Sequence, residues 1–326
     1  MMHFVKKILK VIVSGVLLWL FLKNLDWFSL VSILMQIRWI WFTPVFVLGP
    51  IGILLLAVRW RLLLIKLGLN ISHIQAARGI WTGAFFNLFL LGTTGGDLYR
   101  LVFVRNLIPG SDNKITSSII LDRIFGVGSL LFLGIWGFIY KKHLMIQMLN
   151  EVGPVKISTF TIYTCFCVIF LILLFIILAN AKSETWLGKF KDFVWSIGIQ
   201  IIAEIKDPKL VFNSFVVSLA IHIVSFTSGY FISRAVGLHI DFIELGLFTS
   251  ASAFILALPI SINGLGLREA LLVVFFQYNG YSCGINYGIK ESAIIFSFVG
   301  VVCDFVRVIP GGLWFALVKE SDTKKI

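Results

Sequence analysis

The chain has 326 residues, of which 59% are hydrophobic and only 13% charged, and its formal net charge is +12. Soluble globular proteins carry about 45–50% apolar and about 25% charged residues. With 31 Phe, 10 Trp and a mean hydropathy of +0.97, this chain cannot hide its apolar surface in one water-soluble core. That excludes a soluble enzyme, a coiled coil, a disordered chain and a disulfide scaffold. Strands of outer-membrane barrels alternate polar and apolar residues, whereas 166–179 is a continuous apolar run. The composition therefore predicts an all-α, polytopic integral membrane protein. Its positive charge is that of cytoplasmic loops, which collect Lys and Arg, so no nucleic-acid partner is expected. Cys165, Cys167, Cys283 and Cys303 have no histidine at ligand spacing and read as small apolar residues, with no metal site and no cofactor.

In chain order, Lys6, Lys7 and Lys10 precede a first apolar run at 11–22, read as an uncleaved span because no small-x-small cleavage site follows. A second span covers 39–58 and is closed by Arg59 and Arg61. The run 80–91 is too short to cross a hydrocarbon core of about 20 helical residues and ends in the glycine-rich stretch 92–96. Further spans are predicted at 118–140 and 157–179, then a charged surface helix and loop at 180–209, and a sixth candidate at 210–233. Residues 245–259 and 270–278 flank a break at 260–266. The last span runs from 292 to 318, with a kink expected at Pro310-Gly311-Gly312.

The two broken segments are read as re-entrant helical hairpins with tips at 92–97 and 261–266. If both hairpins enter and leave by one face, most Lys and Arg fall on the cytoplasmic side. If 80–96 crosses fully, they divide about evenly, against the usual bias. The expected arrangement is a single domain, 1–326, of about six full spans plus two hairpins, with both termini cytoplasmic in the cell membrane. Its halves, roughly 39–140 and 210–318, form an inverted repeat, an organisation of secondary transporters. Gly96-x-x-x-Arg100 matches Gly264-x-x-x-Arg268, and Ser117-Ser118-Ile119-Ile120 resembles Ser292-Ala293-Ile294-Ile295.

Charged residues inside apolar segments cost about 2.5–3.5 kcal/mol each on insertion scales and so face a partner or a cavity. Here they are Asp122-Arg123, Arg268-Glu269, and Asp304 with Arg307 one turn on. At the first tip, Gly95 and Gly96 free the backbone, Asp97 is a good N-cap, and Arg100 with the helix N-terminus can hold a phosphate. At the second, Pro259 stops a helix, Asn263, Gly264 and Gly266 open the chain, and Arg268-Glu269 begins the next helix. His222, inside a span, is read as a packing residue. No catalytic nucleophile, metal motif or nucleotide loop is present in the sequence.

These tips resemble the lysylphosphatidylglycerol synthase transmembrane region, the flippase-like (UPF0104) family, over nearly the whole chain. The residues that carry the resemblance are Gly95-Gly96-Asp97-x-x-Arg100, Asp122-Arg123, and Pro259 followed by Gly264-x-Gly266-x-Arg268-Glu269. One departure is Gly92-Thr93-Thr94, where the family pattern has a proline. Longer members carry a soluble aminoacyl-transferase domain after the membrane part, which is not expected here. The resemblance implies movement of a lipid with a polar head between leaflets; the expected substrate is a phospholipid or a polyprenyl-phosphate-linked sugar. From the tips and the charges in apolar segments, the residues expected to contact it are Gly95, Gly96, Asp97, Arg100, Asp122, Arg123, Asn263, Gly264, Gly266, Arg268, Glu269, Asp304 and Arg307, with Arg100 and Arg268 on the phosphate. A separate lipid-modifying enzyme and a second copy of the chain are the other candidate partners. An intramembrane transferase with Asp97 or Glu269 as base, or an accessory subunit of envelope-lipid synthesis, stays open as an alternative.

Overall fold

A computed structural model describes residues 37–89, 94–140, 186–256, 267–282 and 288–317. The predicted spans at 11–22 and 157–179, and the second tip with Asn263, Gly264 and Gly266, lie outside the described residues. Every regular element described is a helix: α1 (Trp39–Lys66), α2 (His73–Phe89), α3 (Thr94–Leu107), α4 (Asp112–Tyr140), α5 (Trp186–Ile205), α6 (Pro208–Ala235), α7 (Phe242–Leu256), α8 (Leu267–Asn279) and α9 (Ile289–Leu317). Four of them, α1, α4, α6 and α9, are long and apolar enough to cross a membrane. Their outer faces keep large apolar side chains such as Ile40, Phe212 and Leu317 exposed. That surface suits lipid and would be untenable in water.

α1 and α6 pack most extensively, and they run antiparallel. Lys66 at the end of α1 pairs with Asp207 before α6 at 2.5 Å. At the opposite end, Arg38 N–H donates to the Ala235 carbonyl at 3.0 Å. Asp207 caps α6 by accepting from Lys209 and Leu210 N–H at 2.9 and 3.3 Å, and Pro208 occupies the first helical turn, where its missing N–H costs nothing. The Asp207 carboxyl lies below the usual carboxylate range, first because of the Lys66 hydrogen bond and then because of Leu210 N–H.

The turn after α1 and the turn after α6 are built alike. Gly68 (φ 80°) and Gly237 (φ 85°) take the left-handed conformation that glycine adopts without strain. Leu69 N–H donates to Leu64 O, and Leu238 N–H to Ser233 O, both at 2.8 Å. Leu69 and Ile71 then enter one apolar core and Leu238 and Ile240 another. Ser72 caps α2 through Gln75 N–H (3.1 Å), and Asp241 caps α7 through Ile243 and Glu244 N–H (2.9 and 3.1 Å). The first core unites α1 to α4 and the second joins α7, α8 and α9 to the turn after α6. Across the halves, α9 packs on α2 and α4 packs on α7.

Helix boundaries differ from the sequence reading, α2 starting at His73 and α4 at Asp112, and two of the differences move site residues. α1 does not stop at Arg59 but continues to Lys66, and Arg59 is buried at 5% exposure. An arginine after an apolar run reads as an interface residue, yet here a carboxylate from another helix draws it inward. α3 starts at Thr94, so Gly95 and Gly96 are helical and Asp97 lies in the first turn instead of capping it. α9 runs on through Pro310; the flanking carbonyls of Arg307 and Gly311 accept from Trp81 Nε1 (2.7 Å) and Thr82 Oγ1 (3.1 Å). A Cβ on Gly311 would collide with the Trp81 carbonyl, so the small residue permits this α2–α9 contact.

Candidate functional site

The charged residues singled out from the sequence fall into two groups with different surroundings. The first is a buried ion network. Asp122 on α4 accepts from Arg59 Nε on α1 at 2.7 Å through one oxygen, and from Arg100 Nη2 on α3 at 3.1 Å through the other. Arg59 Nη1 also donates to Ser218 on α6 at 2.7 Å. The Arg100 guanidinium lies 4.3 Å from the Trp60 ring, a cation–π distance, while Trp60 Nε1 donates to Ser118 at 3.1 Å. Arg100 Nη1 reaches Asp97 at 3.3 Å, and the other Asp97 oxygen accepts from Arg123 Nε at 3.0 Å. Asp122 and Arg123 thus do not pair with each other: adjacent residues on a helix point about 100° apart, and each finds its own partner.

Gly96 stands against α2. Its N–H donates to Asn87 Oδ1 at 2.6 Å, and a Cβ there would strike the Gly83 carbonyl. Gly95 is buried beside it. Gly96 and Gly83 let α3 and α2 close on each other, and Asp97 and Arg100 on α3 reach Arg123 and Asp122 on α4.

The second group lines a cavity of about 580 Å³ bounded mainly by α1, α6, α7, α8 and α9. That volume is in the range of pockets that enclose small molecules or head groups. Most of its wall is apolar, and Arg268, Asp304 and Arg307 are its charged residues. Arg307 Nη2 pairs with Asp304 at 2.9 Å, one turn along α9. Its stem crosses α1 at Gly49, where a Cβ would stand 3.2 Å away. Arg268 Nε donates to Ser297 on α9 at 3.1 Å, and Nη2 lies 3.5 Å from Glu269. Ser297 Oγ in turn donates to Glu269. His222 also lines the cavity; its Nε2 meets Gly126 O and Ser129 Oγ at 3.1 and 3.0 Å, which ties α6 to α4. Among the described residues no group of three His, Cys, Asp or Glu side chains is placed to hold a metal.

Residues that the sequence reading passed over complete both groups. Arg59 and Ser218 hold the ion network; Ser228, Gly229 and Ser297 line the cavity. Arg78 on α2 is 2% exposed and lies 5.5 Å from the Phe103 ring.

Long apolar helices with lipid-suited outer faces and a buried Arg59–Asp122–Arg100 ion network define a polytopic α-helical membrane protein. The chain belongs to the family described as the lysylphosphatidylglycerol synthase TM region, whose pattern matches residues 7–285. A UPF0104 membrane protein of Pyrococcus horikoshii is 23% identical over 247 residues, covering 69% of this chain and 73% of that protein. No solved structure matches the chain.

Proposed function

We propose that the protein is a flippase-like transporter that carries a lipid with a phosphate-containing head group between membrane leaflets. The single observation that carries this reading is the cavity of about 580 Å³ among apolar helices, with Arg268 and Arg307 in its wall. Arginine offers a phosphate two parallel hydrogen bonds and keeps its charge in an apolar setting. Apolar walls suit acyl chains or the glycerol region. Membership of a family named for lysylphosphatidylglycerol synthase membrane regions supports a lipid substrate.

In this reading α2–α3 and α7–α8 are re-entrant hairpins, and 39–140 and 210–318 form an inverted repeat. The like-built turns, the antiparallel α1–α6 pair and the reciprocal packing of α9 on α2 and α4 on α7 support it. Both termini face the cytoplasm of the cell membrane, as the Lys and Arg distribution favours.

The test is exchange of fluorescent phosphatidylglycerol in phosphatidylcholine vesicles that contain the purified protein, followed by quenching of the outer leaflet. Lipid extracts from the same vesicles are checked for a new product. Accelerated exchange that Arg268→Gln abolishes is the expected result. A new lipid product without exchange would instead mark an intramembrane transferase, and neither outcome would mark an accessory protein.

A further inference from the structure

The two halves treat the same position in opposite ways. Counting along α1 and α6 from their first residues pairs Trp39 with Pro208, and carries on to pair Gly68 with Gly237 and Leu69 with Leu238. The matching φ angles and hydrogen bonds of the two turns fix that register. In the same register Arg59 corresponds to Ser228 and Trp60 to Gly229. Beyond the turns, Arg100 on α3 reaches back to Asp122 on α4, while Arg268 on α8 reaches Ser297 on α9. The Ser117-Ser118-Ile119-Ile120 and Ser292-Ala293-Ile294-Ile295 match likewise pairs Asp122 with Ser297.

Three side chains that fill the first half are therefore cut down in the second. The arginine becomes Ser228, the tryptophan becomes Gly229 and the carboxylate becomes Ser297, while the arginine that faces them is kept as Arg268. All three small residues and Arg268 line the cavity. In the first half one buried carboxylate satisfies two arginines, with its shorter contact 2.7 Å. In the second, Arg268 has, among the described residues, Ser297 and a 3.5 Å approach to Glu269, longer than the roughly 2.7–2.9 Å of a charge-assisted bond. Its Nη2 is buried and makes no hydrogen bond among the described residues.

From this asymmetry we propose that Arg268, Ser297 and Ser228 form a phosphate subsite, in which a ligand's anion takes the position that the Asp122 carboxylate takes in the other half. This rests on the reading of the cavity as a head-group site and narrows it to particular donors. Arg268 supplies the charge and a forked pair of N–H donors; the two serines supply hydroxyl donors where the other half has an arginine and a carboxylate. The phosphate displaces Glu269, whose negative charge opposes it. Gly229 lines the cavity without a side chain, with Leu245 3.4 Å from where its Cβ would stand, whereas Trp60 places a ring against Arg100.

The experiment measures equilibrium binding to the full chain, purified in a non-ionic detergent, with inorganic phosphate, dihexanoylphosphatidylglycerol and dihexanoylglycerol as probes. Binding of the phospholipid but not of the phosphate-free lipid is expected. Ser297→Asp, which restores a built-in carboxylate, and Arg268→Gln should each weaken it by about tenfold or more. Ser297→Asn should stay near wild type, and Glu269→Gln should tighten binding, which damage to the fold would not produce. Equal affinity in Ser297→Asp and wild type overturns the proposal, as does equal binding of the phosphate-free lipid. Inorganic phosphate bound as tightly as the phospholipid, with the same variant pattern, sustains the subsite and overturns the lipid reading. Phospholipid exchange that persists in Arg268→Gln and Ser297→Asp keeps the transport reading and removes this subsite from it.

Discussion

Replacing Asp122 by Asn isolates the worth of the buried ion network. The carboxylate is 5% exposed and gives one oxygen to Arg59 at 2.7 Å and the other to Arg100 at 3.1 Å. Asn keeps a single acceptor oxygen and turns an N–H₂ group toward the other guanidinium, donor against donor. Removing one member of a buried ion pair costs about 3–5 kcal/mol. Ser218 on Arg59 and Asp97 on Arg100 remain, so the lower part of that range applies. At roughly 2 °C per kcal/mol for a chain of this size, the unfolding midpoint should fall by about 6 °C. The assay is thermal unfolding of the purified protein in detergent, followed by intrinsic fluorescence. A companion variant, Arg59→Met with Arg100→Met and Asp122→Leu, removes all three charges together and should recover most of the loss, since apolar replacement of a whole buried ionic group is often neutral. An Asp122→Asn midpoint within about 1 °C of wild type would refute the reasoning, because at that conversion less than 1 kcal/mol would have been lost.

Arg123 is 45% exposed and bound to Asp97, so Arg123→Ala should leave the midpoint within about 2 °C, as for a surface ion pair; loss of lipid exchange at normal abundance would then assign Arg123 to the transport path, and loss of the protein itself would refute this stability estimate. Gly311→Val should prevent accumulation of folded protein, because its Cβ meets the Trp81 backbone, which cannot move aside; normal membrane levels of this variant would contradict the close α2–α9 packing. Single cysteines at His73 and Asn106, both exposed, should be labelled from the same face if α2 and α3 form a re-entrant hairpin, and labelling from opposite faces would sink the inverted repeat. Tyr281, after α8, has its phenol pKa raised, first by burial and then by the hydrogen bond to Glu244. A raised folded value contributes stability that is full below the ordinary phenol value of about 10 and is lost as pH rises through the folded value. The unfolding midpoint should therefore decline above about pH 10, and Tyr281→Phe should remove that part of the decline.

The helices themselves were readable because continuous apolar runs leave the chain no soluble alternative. Their contacts were less so. Asp122 could be singled out as a costly charge in an apolar segment, but nothing local named its partners, which come from α1 and α3. Arg59 misled for a related reason: one-dimensional charge patterns place a cation at the membrane surface, and only packing against α4 draws it inside. The likeness of Leu67–Ser72 to Val236–Asp241 was present as Gly-Leu-x-Ile followed by a capping residue, a stronger repeat signal than the tip motifs. Sequence reading passed over it because it falls in a turn between elements, where variation is usual.

The opposite treatment of the two halves bears on how a membrane protein can carry buried charge without instability. A guanidinium in an apolar interior needs an anion, and the chain can supply it or leave it to a ligand. Where the chain supplies it, as Asp122 does for Arg59 and Arg100, the helices are fastened together and the position is closed. Where Ser297 stands instead, Arg268 has, among the described residues, a serine hydroxyl and a 3.5 Å approach to Glu269 beside the cavity, and on the proposed reading stability is exchanged there for the capacity to bind. Restoring a carboxylate there should therefore act in two directions at once. Ser297→Asp should raise the unfolding midpoint while it weakens phospholipid binding, since one new anion would both pair Arg268 and occupy its site. A variant that lost stability and binding together would show that the second half is fastened by the serine itself, and the exchange between the two would have no basis.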